Sequence, residues 1–482
     1  MLSALHSLKP LEKLYWGFSF IVLASIGIGI ATDFYFALLA PVLCLGAYIT
    51  IVDYKKIFYL FFAVVPFSVE LYLNNGLGTD LPTEPIALLL CGISIVLFLH
   101  RFDTIDKRYI SQGITMLILI HMAWVFFSCI FSQNLLISFK YFLAKSWYVI
   151  PFYFLPFYLL KDRLDIERIM KVLLFFTTLV MLVIMIKHGL KGFTFKAINK
   201  AAHPMYRNHV IYAGLLVLLC PYIWYFYTKA KIKIGYILLG LVYLVAIYLT
   251  YTRAAYVCVL IMVGSYFVIK YKFTKIAVFV SLILAGVAVN SLIQDNKYLD
   301  FAPEYKKTVS HMKFDNLIEA TYKMEDISTM ERVYRWVAGL QMVKDRPLLG
   351  FGPGCFYPFY KDYVVSSFRT YVSDNPDKSG IHNYFFMILV EQGFLGLIII
   401  LFLCVFPVIY GERIYHQLVE TDDKNLVMVC ILCLIAFNAM LIINDLVETD
   451  KLGSFFWLNL SILTMLGIRG KKIKETTSSY TE

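Results

Sequence analysis

Charge is scarce in this sequence of 482 residues: only 16% are charged, whereas 60% are hydrophobic and 17% are aromatic. A water-soluble domain averages about 45–50% apolar and about 25% charged residues. So much apolar surface cannot be hidden inside a soluble globule. The low charge content therefore argues against a soluble domain and predicts an integral membrane protein.

Paired metal-binding or disulfide motifs are also missing. The nine cysteines are scattered, mostly inside apolar runs, and no CxxC is paired with a second such motif. A disulfide framework and a zinc site are therefore not predicted. The first apolar run is followed by no convincing small-residue cleavage site, so we expect a retained membrane span rather than a signal peptide. No cofactor, metal or nucleic-acid partner is predicted.

Long apolar segments are what the sequence does contain. About fourteen of them approach the ~17–25 residues that a bilayer-spanning helix needs. They lie near 14–31, 34–52, 57–73, 84–100, 112–132, 145–160, 168–186, 209–228, 233–251, 254–270, 275–293, 383–409, 425–444 and 453–468. The predicted fold class is an all-α polytopic membrane protein with about 12–14 transmembrane helices.

These segments divide the chain into four predicted regions. We expect about 11 spans in residues 1–294, a helical loop over 295–382, about 3 spans in 383–470, and a tail over 471–482. Cytoplasmic loops are enriched in Lys and Arg. With the N-terminus inside, every inner loop from "DYKK" to the tail "RGKKIKE" contains these residues, whereas the outer loop "NNGLGTDLPTE" contains neither. Both termini are therefore predicted to be cytoplasmic and the large loop periplasmic.

Three outer segments carry positive charge against this bias. Residues 187–209 contain Lys187, Lys191, Lys196, Lys200 and Arg207 and no carboxylate. The tight turn "YTRAAY" contains Arg253, and the third segment is the large loop. Clustered Arg and Lys indicate an anionic partner, most commonly phosphate. For the lysine run, a solvated loop or contact with anionic lipid head groups is the alternative.

Part of the large loop has the pattern of an amphipathic helix. In "STMERVYRWVAGLQMVKDRPLLG", apolar residues recur at helical spacing. Ser328 and Glu331 have the spacing of a capping box, and Pro347 and Gly350 can end the helix. The segment therefore predicts a helix that presents Arg332 and Arg335 from nearly one face.

Three motifs follow one another along the chain: "LTYTRAAYV", then "ERVYRWVAGLQMVKDRPLLGFGPGCF", then "HNYFFMILVEQGFLGL". This order resembles the O-antigen ligase and polymerase superfamily. That family has an Arg near the end of one span, an R-x-x-x-W helix leading into P-L-L-G-x-G-x-G, and an H-N before E-x-G-x-x-G. The matching positions are Arg253, Arg332, Trp336, residues 347–354, His382, Asn383, Glu391, Gly393 and Gly396, with Arg207 in "YRNHVIYAGLL" as a further outer arginine.

The resemblance implies a fold like that of C-type lipid-carrier glycosyltransferases and a metal-independent, inverting reaction. Such an enzyme moves a glycan from undecaprenyl diphosphate to an acceptor hydroxyl at the periplasmic face of the bacterial inner membrane. Ligases use lipid A–core as the acceptor, whereas repeat-unit polymerases of O-antigen or capsule use a second lipid-linked unit. The sequence leaves ligase and polymerase open, and the partners it implies are these substrates and membrane lipid.

Two other classes of protein, a transporter and a structural scaffold, fit the sequence less well than an enzyme does. A transporter for lipid-linked sugars would need charged residues deep in several spans, but the spans here are poor in charge and the unexplained basic residues collect at one face. A structural scaffold would leave the outer arginines unexplained. Both arguments favour chemistry at the outer surface.

The residue types suit this reaction. Arginine stays charged and binds phosphate with a bidentate fork, so we assign Arg253 and Arg332 to the diphosphate, with Arg207 and Arg335 as further candidates. His382 is the candidate general base for the acceptor hydroxyl. Its alternatives are a hydrogen-bonding role without proton transfer and a merely interfacial histidine.

The remaining motif residues are predicted to support the site. Glu391 is expected to fix a neighbouring arginine or backbone donor. Gly352 lies in the turn "GFGPG", which permits close backbone approach. Asn383 and Trp336 are expected to hold the site together, and Gly393 and Gly396 are expected to serve helix packing.

Overall fold

The structure is a computed structural model, and it describes residues 10–32, 37, 39–72, 78–101, 106–294, 327–370, 373–375 and 378–478. The first part of the predicted large loop, 295–326, lies outside the described residues, as do the last four residues of the predicted tail. Contacts within the chain divide it into two units, Met1–Ala63 and Val64–Glu482. All residues of the candidate site belong to the second unit.

Helices make up nearly all of the regular structure. In chain order they are α1 (Pro10–Thr32), α2 (Leu39–Val64), α3 (Thr83–His100), α4 (Lys107–Ile110), α5 (Gly113–Ile130), α6 (Leu135–Val149), α7 (Pro156–Leu159), α8 (Arg163–Gly189), α9 (Phe195–Ala202), α10 (His209–Lys229), α11 (Ile234–Leu249), α12 (Arg253–Lys270), α13 (Thr274–Ile293), α14 (Ile327–Asp345), α15 (Phe356–Phe359), α16 (Tyr384–Gln417), α17 (Thr421–Leu441) and α18 (Asp450–Ser478). A π-helical turn, Ile150–Phe154, joins α6 to α7, and 3₁₀ turns span Val65–Phe67, Tyr360–Tyr363, Ser366–Phe368 and Leu446–Glu448.

Ten of the helices in the described part of the chain are long and apolar enough to cross a membrane. They are α1, α3, α5, α8, α10, α12, α13, α16, α17 and α18, and α11 is a shorter apolar helix. The predicted class, an all-α polytopic membrane protein, is confirmed. Much of the predicted segments 34–52 and 57–73 lies on α2, which consists of two helices joined at a kink. The backbone leaves the helical region at Asp53, the first residue of the predicted loop "DYKK".

Two short strands lie at the end of the predicted segment 57–73 and in the predicted outer loop that follows it. Strand β1 (Val69–Tyr72) pairs antiparallel with β2 (Gly78–Leu81), with Val69 opposite Leu81 and Tyr72 opposite Gly78. These are the only strands among the described residues.

The core lies where helices are surrounded by other helices. In the apolar windows of α10, α17 and α18, 72%, 72% and 94% of the residues are buried, against 6% for α13. A helix that is apolar all round must be covered by protein or by lipid. The second unit is therefore organised around α10, α17 and α18, and α13 presents its apolar surface outward.

A buried ion pair connects this core to the start of α16. Lys145 on α6 is only 2% exposed, and its Nζ lies 2.8 Å from Glu448 Oε1. Lys145 also donates to the hydroxyl of Tyr384, the first residue of α16, at 3.0 Å, while the Tyr141 hydroxyl donates to Glu448 at 2.7 Å. Because Glu448 lies in the loop between α17 and α18, these bonds fix that loop against α6 and α16.

Replacing Lys145 by Met is expected to lower the free energy of unfolding by about 3 kcal/mol, because the change leaves a poorly solvated carboxylate without its cation. Thermal unfolding of the purified protein in detergent measures the effect. Lys231→Met removes the same charge from an exposed loop and serves as the control. Equal melting temperatures for the two variants would contradict the structural role assigned to the pair.

Candidate active site

Helix α14 holds the backbone that leads to His382. The Nη1 of Arg335 donates to the carbonyl oxygen of Gly380 at 2.9 Å, and the indole Nε1 of Trp336 donates to that of Ile381 at 3.0 Å. Arg335 is buried, and Glu331, one turn earlier, lies 3.7 Å from it. Arg335 and Trp336 of α14 thus fix the two residues immediately before His382.

His382 itself stands at a strained position between this segment and α16. Its φ of 57° lies in the left-handed region, which costs a non-glycine residue energy and persists only where surrounding contacts enforce it. The Asp445 carboxyl group interacts electrostatically with the backbone N–H of His382, and the Asn444 side chain interacts with the His382 ring. The next residue, Asn383, begins α16 by accepting the N–H of Phe386 at 2.9 Å.

Burial and nearby cations control the ionisation of this site. Burial, followed by Arg335 and Arg332, lowers the pKa of His382 to about 3, so its imidazole is neutral at physiological pH. Burial and then Glu448 raise the pKa of Asp445 to about 7, although the two arginines oppose this rise. The pair therefore combines a neutral imidazole with a carboxyl group that titrates near neutral pH.

The glycine-rich turn after α14 and the break in α16 form one joint. Glu391 accepts the backbone N–H groups of Gly354 at 2.8 Å and Phe356 at 3.0 Å. The Gly352 N–H donates to the Glu391 carbonyl at 2.8 Å, and the Phe394 N–H donates to the Pro347 carbonyl at 2.9 Å. The donors that Glu391 fixes are therefore main-chain groups of the turn.

Glycine is required on both sides of this joint. At Gly393 the backbone leaves the helical region, with φ at 69°, and an added Cβ would lie 2.0 Å from the Leu348 carbonyl oxygen. At Gly350, φ is 68° and a Cβ would lie 2.4 Å from the Glu391 carbonyl carbon. We expected Gly393 to serve helix packing. Instead it breaks the helix, because the turn pairs with the backbone there.

A cavity of about 760 Å³ lies beside these elements. Its lining comes from α9, the first turns of α10 and α12, α14, and the end of α17 with the loop after it. Three of its residues are cationic, Lys196, Arg253 and Arg332, and no Asp or Glu is among the described residues that line it. Further along α12 and on α17 the lining becomes apolar, with Val257, Cys258, Ile261, Ala439, Ile442 and Ile443. The cavity thus combines a cationic region with an apolar one.

The predicted site residues do not all reach this cavity. Arg253 and Arg332 line it together. His382 is not among its lining residues, but Asn444, which lines it, interacts electrostatically with the His382 ring. Arg335 instead contacts Gly380 and Glu331, and so it lies behind the segment of His382. Arg207 is half exposed, lies 3.7 Å from Glu70 on β1, and is not among the residues that line the cavity.

Sequence reasoning missed Asn444 and Asp445. Both lie where an apolar run ends in "IIND" before the acidic stretch "LVETD". Two polar residues at the outer end of a predicted span were the available signal, since polar groups near membrane helices usually have a function. Metal binding gains no support from the side chains, because the described residues contain no cluster of three or more His, Cys, Asp and Glu that could hold an ion.

The fold and site define a multi-pass membrane protein with a cationic cavity that two of the motif residues, Arg253 and Arg332, line together. Residues 237–401 match the Wzy_C family model, described as O-Antigen ligase, and this range contains Arg253, Arg332, His382 and Glu391. The chain therefore carries an O-antigen ligase domain, and the predicted membership of the O-antigen ligase superfamily is confirmed. No curated protein matches the chain. The family indicates an enzyme of the O-antigen ligase type that acts on a lipid-linked glycan donor and a glycan acceptor.

Replacing Gly393 by Ala is expected to lower the free energy of unfolding by about 3 kcal/mol, since the new methyl group needs a left-handed backbone and collides with Leu348. Thermal unfolding in detergent tests this expectation. Gly264→Ala on α12 adds the same methyl group where nothing lies within 4 Å and should leave stability unchanged or slightly higher. If Gly393→Ala unfolded no earlier than Gly264→Ala, the joint would not have the tight geometry described here.

Proposed function

We propose that the protein transfers a glycan from undecaprenyl diphosphate to an acceptor hydroxyl at the periplasmic face of the bacterial inner membrane. The proposed acceptor is lipid A–core, as for an O-antigen ligase. The single observation that carries this proposal is the cavity in which Arg253 and Arg332 meet without a lining carboxylate. Its two kinds of lining suit a donor that joins a diphosphate to a long hydrocarbon chain.

The cationic region suits the diphosphate. Arg253 and Arg332 can each bind phosphate oxygens with a bidentate fork, and Lys196 adds a third positive charge. The first turns of α10 and α12 also line this region, with His209 and Arg253 as their first residues. Helix N-termini favour anions because their N–H groups and dipoles point toward the ligand.

The apolar region suits the isoprenoid chain. From Arg253 to Ile261 the cavity follows α12 for about 12 Å, at the usual rise of 1.5 Å per residue. The side chains that line this path, such as Val257 and Ile261, offer no hydrogen bond. They therefore favour the hydrocarbon next to the diphosphate over a water-filled pore.

In the proposed reaction, the acceptor oxygen attacks C1 of the first donor sugar. The new C1–O bond forms as the bond from C1 to the phosphate oxygen breaks, and that oxygen keeps the electron pair. Arg253 and Arg332 stabilise the charge that develops on the leaving diphosphate, so no metal ion is required. The acceptor proton moves to His382, and attack opposite the leaving group inverts the configuration at C1.

Because the pKa of His382 is low, we expect the bound donor to assist the proton transfer to His382. With a pKa of about 3 the imidazole is neutral but only weakly basic, chiefly because of burial and secondly because of Arg335 and Arg332. A diphosphate at Arg332 would offset that positive charge and raise the pKa of His382. On this proposal His382 becomes an effective base only when the donor is bound, and the unloaded site does not take up a proton.

The choice of acceptor separates the ligase from its alternative, a repeat-unit polymerase. Both reactions use the same donor and the same chemistry at C1, and they differ in whether the hydroxyl belongs to lipid A–core or to a second lipid-linked unit. Offering the purified protein each acceptor in separate reactions therefore decides between them. The ligase predicts product from lipid A–core alone.

The reaction itself is tested by reconstitution with an undecaprenyl-diphosphate-linked glycan and lipid A–core in a buffer free of divalent cations. His382→Ala is expected to lower kcat by about 10²–10⁴, the usual contribution of a general base, with little change in donor affinity. Arg253→Ala and Arg332→Ala are expected to lower kcat by about 10²–10³ and to weaken donor binding, because they remove counter-charge from the diphosphate.

Lys344→Ala provides a matched control, because it removes an exposed cation from the same helix as Arg332. It should keep the wild-type rate. Full turnover by a folded His382→Ala variant would overturn the assignment of the base. A strict need for Mg²⁺ would overturn the account in which arginines alone stabilise the leaving group.

The pH dependence of kcat/KM is expected to report Asp445 rather than His382. The carboxylate form of Asp445 interacts with the backbone N–H of His382, and this form is lost as pH falls through its raised pKa of about 7. Wild-type kcat/KM should therefore fall below about pH 7, whereas Asp445→Asn should show a lower but flat profile between pH 5 and 8. The pKa of His382, about 3, adds no step in this range. An acid limb that persists unchanged in Asp445→Asn would contradict this expectation.

A further inference from the structure

We propose that Phe195, Asn199 and His209 form the subsite for the sugar attached directly to the carrier diphosphate. The inference rests on the proposed function and deepens it, because it assigns one wall of the cavity to the glycan. All three residues line the cavity, and none of them is among the positions that match the family motifs. They lie in and just after the lysine-rich outer segment, at α9 and the start of α10.

The aromatic part of this wall is held at a fixed distance from Arg253. The ring of Phe195 lies 5.7 Å from that of Tyr251 and 5.9 Å from that of His209, in both cases edge to face. The Tyr251 hydroxyl donates to the Phe193 carbonyl at 2.6 Å. Because Tyr251 comes two residues before Arg253, these contacts fix α9 against the turn that presents the arginine.

The polar part of the wall has a defined pattern of donors and acceptors. The side-chain oxygen of Asn199 accepts the backbone N–H of His209 at 2.9 Å, which fixes the orientation of the amide. The same oxygen lies 2.8 Å from His209 Nδ1, and since it can only accept, Nδ1 must carry the proton. The Asn199 amide therefore keeps its two N–H groups as donors, and the His209 ring is held in a fixed orientation.

This combination matches a pyranose ring. A sugar has an apolar face of C–H groups, which packs against an aromatic ring, and an edge of hydroxyls, which both donate and accept hydrogen bonds. Phe195 supplies the apolar surface, Asn199 supplies donors and His209 supplies a polar ring edge beside them. A diphosphate alone would have no use for the aromatic ring.

Position favours the sugar of the donor over that of the acceptor. The sugar on the carrier is one bond away from the diphosphate, and this wall adjoins Arg253 through Tyr251. His382, to which an acceptor must come, is connected to the cavity through Asn444 on the loop after α17. The donor sugar and the acceptor hydroxyl are thus assigned to different elements of the protein.

Comparing the KM for the glycan-linked donor with the affinity for bare undecaprenyl diphosphate distinguishes this subsite from the diphosphate site. Undecaprenyl diphosphate without a glycan contains the carrier and both phosphates but no sugar. Phe195→Ala and Asn199→Ala are expected to raise KM for the glycan-linked donor about tenfold, equivalent to about 1.4 kcal/mol of binding free energy. They should leave the affinity for bare undecaprenyl diphosphate unchanged, and that unchanged affinity also reports that the variants are folded.

Lys200→Ala serves as the matched control, because Lys200 is an exposed residue of α9 that is not among the residues lining the cavity. It should change neither affinity. If Phe195→Ala and Asn199→Ala weakened both ligands equally, weakened neither, or raised only the KM of the acceptor, the donor-sugar assignment would be overturned. Failure of the wild-type protein to bind bare undecaprenyl diphosphate would instead overturn the proposed function.

Discussion

Two hydrogen bonds from α14, made by Arg335 and Trp336 to the carbonyl groups of Gly380 and Ile381, determine where His382 stands. The same helix carries Arg332 into the cavity. A single rigid element therefore sets the distance between the cation proposed to hold the leaving group and the imidazole proposed to assist the acceptor. Catalytic groups must be held within a fraction of an ångström to be effective, and one helix achieves this more reliably than two independent loops.

Three of the carboxylates close to the site, Glu391, Glu448 and Glu331, are bound to partners outside the cavity. Glu391 accepts two backbone N–H groups of the glycine-rich turn, and Glu448 is paired with Lys145. Glu331 lies against Arg335 and also accepts the hydroxyl of Ser373. Each acidic group thus stabilises the scaffold, and the cavity lining remains positive. Positive charge on this face opposes the usual insertion bias, and an anionic substrate gives a physical reason to retain it.

The sequence predicted the features that depend on local pattern. Apolar length and loop charge indicated a polytopic helical protein, and the motif residues Arg253, Arg332 and His382 were identified before their contacts were known. Asn444 and Asp445 were not identified, because no motif surrounds them and only the packing of the loop after α17 brings them to His382. Helical spacing indicated that Arg335 shares a face with Arg332, but it could not indicate which neighbour each side chain meets.

Contacts between segments far apart in the sequence explain another difference between the predicted and the observed structure. The glycine-rich turn and the break at Gly393 lie about 40 residues apart, so neither segment alone could indicate that their backbones bond to each other. At "DYKK", by contrast, local charge was informative, because α2 is kinked at Asp53, within the segment that the charge predicts to be a loop.

An experimental structure of the protein with a non-hydrolysable donor, in which a methylene group replaces the oxygen between C1 and phosphorus, tests the central claim most directly. The account predicts the diphosphate between Arg253 and Arg332, the hydrocarbon along Val257 and Ile261, and C1 turned toward His382. A diphosphate bound elsewhere, or a C1 that the His382 side of the cavity cannot reach, would contradict it.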